Sequence, residues 1–516
     1  MKTFLLGVLI LSTTLIFRLW HIEFGLPHSF YADEPEIAEL AIKYTYEFRN
    51  IIHNRDYYKL IPISFVYGTF PAYLFTLAVM IFSKTLNIAG ISFDKTTLYI
   101  FMRGLNSLLS FALVPITALI YSKLFRDKTG VFIALLLTAL NWKLIVHAHY
   151  VNPDIILTLI LSISFLFGLL YLDKPDKSLY VWLLGISIGA AIGTKITALI
   201  SLPMFIYLFL SKRDYKSLVG FLVISFIVFI VTNPFSFIFF NTFIYRIFEM
   251  IFKEGGLVFD SVDYSPVKYI TAIGTILTPP MFVFSVYGLF ISVYKKTFKP
   301  AHIFILGNIL VYVVFFSIQS RRVDRWMLPI IPLLLVYASY GITKFIYYKG
   351  SINKAFVGSV LAACLAFYIY PSIVLLYQFR KDTPKSEAYL WAQENLPATS
   401  NKLVITEEGL DPMNKLKTEA GYVKDVRQLN VYVSENAQLD FPPKALGYDY
   451  IILSSRPIQN YRKHVVSEKY PSYAKAWVDF ENLITMSDKF ELIKKFETTK
   501  PNLVPLSDIY VYEKIN

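Results

Sequence analysis

The sequence predicts a mainly α, polytopic membrane protein with about eleven crossings (thirteen in the alternative count) and a small C-terminal α/β domain. Three observations carry this. The 516 residues are 55% hydrophobic and the mean hydropathy is +0.50, against roughly 45–50% apolar residues in soluble domains. Apolar stretches near the ~20 residues that a bilayer requires recur as far as residue 377. From 381 onward the apolar runs shorten, charges rise, and Pro384 and Pro397 break the chain.

The expected crossings are 3–20, 99–122, 130–148, 155–172, 179–194, 196–210, 217–235, 270–293, 301–318, 327–347 and 355–377. The stretch Met1–Trp20 carries one lysine and then apolar or small residues, and it runs into Arg18-Leu-Trp-His21 rather than a small-x-small cleavage site, so it reads as an uncleaved span. Short loops rich in Lys and Arg at 123–128, 173–177, 211–216, 295–299 and 348–354 alternate consistently and are assigned to the cytoplasm. This places the N-terminus inside and the C-terminal domain outside. The apolar stretch 65–82 contains Gly68 and Pro71 and reads as interfacial or re-entrant. Were it a full crossing, Asp33 and Asp154 would face opposite sides.

The domain boundary falls at 380. Residues 1–380 form the membrane domain, with a first outer loop at 21–98, and residues 381–516 form the soluble outer domain. In the latter, 385–396 reads as a helix and 402–406, 448–454 and 508–513 as strands, the second apolar enough for a buried position. The formal net charge is +13, with Lys and Arg gathered in short loops between apolar stretches and no basic domain or stripe standing free of the membrane, which argues against nucleic acid as a partner. Cys364 is the only cysteine, so neither an intrachain disulfide nor a cysteine-based zinc site exists.

Several polar residues are not explained by the bilayer, where an ionisable group at mid-span costs about 2.5–3.5 kcal/mol. Asp33 and Glu34 follow the first span, with Pro35 suited to the first position of a helix. They read either as a solvated helix N-terminus or as catalytic carboxylates. Asp154 follows Asn152-Pro153 and is either a cap-and-dipole carboxylate or a second acid opposing Asp33. His147 and His149 are either helix-end residues or metal ligands. Lys195 either snorkels or contacts a phosphate beside Thr194 or Thr197. Arg103 stands near the outer start of its span. Arg321, Arg322 and Arg325 cluster near Asp324, facing either that carboxylate or an anionic ligand.

Two outer carboxylates with outer cations suit the use of a lipid phosphate. The cations Lys195, Arg103, Arg321, Arg322 and Arg325 would hold the phosphate of the donor. A carboxylate would take a proton from an acceptor attacking the anomeric carbon of a sugar. No glycine-rich nucleotide loop is present. A divalent metal is the one cofactor left open, with Asp33, Asp154, His147 and His149 as its ligands.

These residues sit in motifs that resemble the GT-C class of membrane glycosyltransferases, in the branch of protein O-mannosyltransferases and aminoarabinose–lipid A transferases. The motifs are Tyr31-Ala-Asp-Glu-Pro-Glu36, Phe70-Pro-Ala-Tyr-Leu74 with Met102-Arg-Gly-Leu-Asn106, Tyr150-Val-Asn-Pro-Asp154, and Gly193-Thr-Lys-Ile-Thr197. Arg325-Trp-Met-Leu-Pro329 is a fainter fifth. The resemblance implies a polyprenyl-phosphate-linked sugar as donor and a protein, lipid or glycan as acceptor. It also implies Asp33 as the catalytic carboxylate with Glu34 beside it, Asp154 as a second acid, and Lys195 with the outer arginines at the donor phosphate. Neither acidic position forms an Asp-x-Asp pair, which sets the chain apart from metal-dependent patterns. The alternative from another class is a transporter or flippase for polyprenyl-linked glycans. It calls for repeated halves and broken mid-membrane helices, and the sequence shows no internal repeat.

Overall fold

A computed structural model describes residues 2–27, 31, 33–62, 65, 67–253, 267–294, 299–319, 322–348, 353–406, 416–418, 421–422, 426–428, 445–455, 462–469, 471–504 and 506–515. The chain divides into two units. The first comprises Met1–Ile22, Asp33–Phe252 and Tyr264–Leu376, and the second Glu23–Ala32, Lys253–Asp263 and Tyr377–Asn516.

The first unit is helical. Its elements are α1 (Lys2–Leu19), α2 (Glu34–Asn54), α3 (Phe70–Ile88), α4 (Lys95–Phe125), α5 (Lys128–Leu140), α6 (Trp142–Ala148), α7 (Pro153–Asp173), α8 (Ser178–Thr194), α9 (Leu202–Ser211), α10 (Tyr215–Thr232), α11 (Pro234–Ile238), α12 (Phe240–Phe248), α13 (Val267–Leu277), α14 (Pro279–Tyr294), α15 (Pro300–Ser317), α16 (Ile331–Ile346) and α17 (Lys354–Gln378). Among the described residues seven helices are long and apolar enough to cross a membrane, or up to nine if each bent pair counts as one span. Shorter apolar helices occupy Leu5–Leu19, Ser178–Thr194 and Ile196–Ser211, where further crossings are expected from the sequence.

Two expected crossings are not straight. Segment 130–148 breaks at Asn141, with α5 and α6 bent by 51°. Asn141 accounts for the break: its side chain accepts from Leu144 N to start a new helix. Segment 270–293 turns by 111° between α13 and α14. Thr278 has φ +63°, and Pro279 and Pro280 remove two backbone donors, so one helix cannot run through. The stretch expected to be interfacial at 65–82 is a helix from Phe70 to Ile88 that meets the length and apolarity of a span.

Helix ends follow the local sequence. Asp94, Asp127 and Asp214 cap α4, α5 and α10 through side-chain bonds to backbone N–H groups. The core is a continuous apolar cluster built largely from α4, α5, α7–α10 and α13–α16. Close packing of α8 on α10 depends on the small residues 185, 189 and 193. A β-carbon at Gly189 would lie 2.5 Å from the Ser225 carbonyl oxygen, and one at Gly193 would lie 2.2 Å from Thr232 Oγ1. A buried arginine ties three helices together: Arg18 on α1 donates to Ser110 Oγ on α4 at 2.9 Å and to the Ala139 and Thr138 carbonyls on α5 at 3.0 and 3.2 Å.

The second unit is α/β. Strands β1 (Lys402–Thr406), β4 (Val426–Gln428), β5 (Tyr450–Ser454), β6 (Phe490–Phe496) and β7 (Ile509–Lys514) form a sheet of order β4-β1-β5-β7-β6, and β2 (Lys417–Thr418) pairs with β3 (Gly421–Tyr422). β1 runs parallel to β4 and β5, whereas β7 is antiparallel to β5 and β6. Helices α18 (Pro384–Asn395), α19 (His464–Lys469) and α20 (Pro471–Thr485) complete the unit. The central strand β5 is buried from Ile451 to Ser454, consistent with its apolar run. Trp477 and Phe480 of α20 pack with Leu403, Ile405 and Leu453, and Ala388 and Ala392 of α18 pack with Val404, Ile452 and Val511. Alternating side chains of the same strands thus enter two separate clusters.

Candidate active site

The site assembles from helix ends. Asn152 caps α7: its Oδ1 accepts from Asp154 N at 2.8 Å and Ile155 N at 3.2 Å, with Pro153 in the first turn. The capping role open to Asp154 is therefore filled by Asn152. The loop before it is held by Asn106 of α4, whose Nδ2 donates to the His147 and Tyr150 carbonyls at 3.0 and 2.8 Å. Asp154 is thus fixed in the first turn of α7, buried, with its carboxylate turned to cations.

Lys195 ends α8 in an extended conformation. Its ammonium donates to Asp154 Oδ1 at 2.7 Å, and the side chain is 9% exposed, so it does not snorkel to water. Arg325 lies in the short helical turn Asp324–Ile330 that precedes α16. It bridges both acids, with Nη2 2.8 Å from Asp33 Oδ2 and Nε 3.6 Å from Asp154 Oδ2. Asp33 sits at the N-cap of α2 but makes no side-chain capping bond. Four groups far apart in sequence therefore form one chain of ion pairs: Asp33, Arg325, Asp154 and Lys195. Both aspartates lie on one side of the bundle.

Glu34 and Arg103 form a separate, fully buried pair. Arg103 Nε and Nη2 donate to the two carboxylate oxygens of Glu34 at 2.7 and 2.6 Å. Arg103 Nη1 donates to the Ile22 carbonyl at 2.9 Å, and Glu34 Oε1 also accepts from Val151 N at 3.0 Å. This bidentate clamp fixes the start of α2 against α4 and the 149–152 loop. It holds Glu34 beside Asp33 in sequence while engaging it in structure.

The remaining expected residues are placed otherwise. Arg322 is exposed and pairs with Asp324 at 2.9 Å, the structural partner named from sequence. Arg321 lies outside the described residues. Among the described residues no group of three or more His, Cys, Asp or Glu side chains is arranged to hold a metal ion, so the set Asp33, Asp154, His147 and His149 is not assembled. The reason is local: His149 Nδ1 and Nε2 lie 2.8 and 2.9 Å from the Ile145 and Trp20 carbonyl oxygens, and the His147 ring bonds with the Tyr150 hydroxyl.

Tyr67 is a site residue not singled out from the sequence. The Lys195 ammonium lies 5.5 Å from its ring centroid. Burial, followed by the negative charges of Asp33, Asp154 and Glu36, pushes its hydroxyl pKa well above the ordinary phenol value, so it stays protonated and bonds to Asp33. The local cause is Gly68. Its N–H donates to the Thr194 carbonyl at 3.1 Å, and a β-carbon there would lie 1.9 Å from the Gly193 oxygen. Thr69 N donates to Asn233 Oδ1 at 2.7 Å. The segment carrying Tyr67 is thus fastened to the ends of α8 and α10. The glycine beside an aromatic was visible in the sequence, but its contact 125 residues away was not.

With this geometry in hand, the chain is similar to several known proteins. The family profile described as dolichyl-phosphate-mannose-protein mannosyltransferase matches residues 102–238. ArnT from Cupriavidus metallidurans, solved with undecaprenyl phosphate bound, is similar with a TM-score of 0.52 at 14% identity, over 98% of this chain and 97% of that one. The archaeal oligosaccharyltransferase AglB from Archaeoglobus fulgidus, solved with an inhibitory peptide and a dolichol-phosphate, is similar with a TM-score of 0.54 at 12% identity, over 100% of this chain and 74% of that one. No curated protein matches the sequence. The fold is shared with these polytopic membrane proteins, and residues 102–238 match the mannosyltransferase family profile.

Proposed function

We propose that this protein is an integral-membrane glycosyltransferase that moves a sugar from a polyprenyl-phosphate carrier to an acceptor on the extracytoplasmic side. The observation that carries the reading is the ion-pair chain through Asp33, Arg325, Asp154 and Lys195. The polyprenyl phosphates held by the similar ArnT and AglB structures support the choice of donor. The N-terminus is cytoplasmic and the C-terminal unit extracytoplasmic in this reading, as the basic loops indicate.

Asp33 is the catalytic base. An acceptor hydroxyl or amine attacks the anomeric carbon and passes its proton to the Asp33 carboxylate. The bond between that carbon and the phosphate oxygen breaks, and its electron pair leaves with the polyprenyl phosphate. A single displacement inverts the anomeric configuration. Lys195 and Arg325 face the departing phosphate and stabilise the charge that builds on it. Asp154 holds these two cations in place. Glu34 and Arg103 position the start of α2, and so Asp33, without touching substrate. Tyr67 donates to Asp33 and sets the direction of its basic oxygen.

The test is transfer by the purified full-length protein in nanodiscs, supplied with polyprenyl-phosphate-linked sugars and scored by release of polyprenyl phosphate. Asp33→Asn is expected to lower kcat by about 10²–10⁴-fold with an unchanged melting profile. Wild-type turnover in Asp33→Asn would remove the catalytic role.

A further inference from the structure

We propose that Asn233 is a positioning residue of the carrier-phosphate site and acts through Lys195. The inference rests on the function proposed above and deepens it by naming what holds the phosphate-facing cation in place. Lys195 follows the last turn of α8, where the chain has left the helix for an extended conformation. Carbonyls at a helix C-terminus lack intrahelical partners, and a lysine carries its charge on a flexible four-carbon stem. Its direction therefore depends on what fixes the peptide it hangs from. The N–H of the Thr194–Lys195 peptide donates to the Ala191 carbonyl at 3.0 Å, and the carbonyl of the same peptide accepts from Gly68 N at 3.1 Å.

Asn233 holds Gly68 in reach of that carbonyl. It ends α10 and is buried. Its Oδ1 accepts from Thr69 N at 2.7 Å, its Nδ2 donates to Thr232 Oγ1 at 3.3 Å, and the Thr69 hydroxyl donates to the Thr232 carbonyl at 2.5 Å. The amide occupies space that two glycines leave open. A β-carbon would lie 3.0 Å from Asn233 Oδ1 at Gly68 and 2.8 Å from Asn233 Nδ2 at Gly193. One side chain thus locks segment 67–69 to the end of α8. Beside that lock the Lys195 ammonium lies 5.5 Å from the centroid of the Tyr67 ring and reaches Asp154 Oδ1 at 2.7 Å. A leucine at 233 has similar size but accepts nothing. The Thr69 N–H would then be a buried donor without its acceptor, which is costly enough to shift the segment. The shift passes through Gly68 to the peptide that carries Lys195.

The experiment measures binding of undecaprenyl phosphate and of neutral undecaprenol to the full-length protein in phosphatidylcholine nanodiscs, where no anionic headgroup competes. Wild type is expected to prefer the phosphate. Asn233→Leu should lose about fivefold of that preference, the range of one hydrogen bond, with undecaprenol bound as before. In a Lys195→Met background the same substitution should change the preference by less than about twofold, because the residue it acts through is gone. Thr69→Val keeps the size, loses only the hydroxyl bond, and should act in the same direction by a smaller factor. Full preference retained by Asn233→Leu, or by Thr69→Val where the leucine variant does not fold, would overturn the assignment and leave the proposed function standing. An equal loss with and without Lys195 would also overturn it, since Asn233 would then act elsewhere, as would equal weakening toward both lipids, which is a packing effect. A wild type that does not distinguish the two lipids would overturn the proposed function as well.

Discussion

Replacing Glu34 with glutamine keeps its shape and removes its charge, leaving the Arg103 guanidinium uncompensated in a site from which water is excluded. Both side chains are 0% exposed, and the pair shares two short, parallel hydrogen bonds. An exposed pair of the same chemistry contributes about 0–1 kcal/mol. Removing one partner of a buried pair costs about 3–5 kcal/mol, because the other charge stays behind desolvated. The Val151 N–H, which donates to Glu34 at 3.0 Å, keeps an amide oxygen as acceptor in this variant. The estimate therefore concerns charge and not a lost backbone bond. Glu34→Gln and Arg103→Met should each destabilise the protein by about 3 kcal/mol or more, and the double variant by clearly less than their sum. The expected coupling is about 1–3 kcal/mol. The assay is a double-mutant cycle from reversible unfolding of the purified protein in mixed detergent micelles. Single variants within about 1 kcal/mol of wild type, or strictly additive effects, would refute the clamp as the anchor of α2.

Further outcomes follow from the same geometry. Lys195→Ala removes the nearer of the two cations on Asp154 and should raise the apparent KM for a polyprenyl-phosphate sugar by about tenfold or more; an unchanged KM in the nanodisc assay would exclude Lys195 from the phosphate site. Arg322→Ala breaks an exposed pair with Asp324 and a long, exposed bond to the Thr271 hydroxyl, so stability should change by less than about 1 kcal/mol, and a large loss in the unfolding assay would contradict this. In the second unit, burial and then the charge of Asp382 raise the Glu387 pKa above its ordinary 4.5. The folded state then binds that proton more tightly than the unfolded state, so Glu387 favours the fold below about pH 4.5 and loses this effect as pH rises through its folded pKa. Glu387→Gln should slightly raise the melting temperature at pH 7 and give no gain at pH 4; a gain that grows toward acid would reverse the sign argued here.

Most of the fold was legible because a bilayer constrains local sequence. Length and apolarity mark spans wherever they fall, but the 111° turn at Pro279-Pro280 was passed over, because a hydropathy window reads 270–293 as one crossing. Asp33, Asp154, Lys195 and Arg325 were legible for a related reason, since charges next to apolar runs stand out. Their pairing was not. Arg103 could have faced a phosphate as readily as Glu34, because a contact across 69 residues leaves no periodic trace. Arg18 is harder still. A basic residue at the end of a first span reads as a flank, and only the converging carbonyls of Thr138 and Ala139 make it an interior residue. The partners of the histidines were not legible either, since the carbonyls of Ile145 and Trp20 that face both nitrogens of the His149 ring leave no pattern in the sequence.

The four linked charges share a placement that explains how a mostly apolar bundle accommodates them. Asp33 opens α2, Asp154 lies in the first turn of α7, Lys195 follows the last turn of α8, and Arg325 precedes α16. For the first three the sign of the charge matches the helix end: carboxylates at N-termini and an ammonium at a C-terminus are each favoured by about 0.3–1 kcal/mol. Arg325 alone stands against a helix N-terminus, where a positive charge is disfavoured. It is also the cation that reaches both carboxylates, at 2.8 and 3.6 Å. Two neighbouring acids would otherwise repel one another. The arginine therefore offsets charge on both carboxylates. Replacing Arg325 should accordingly destabilise the fold in the unfolding assay as well as weaken donor binding in the proposed reaction, a pair of effects that loss of a phosphate contact alone does not produce.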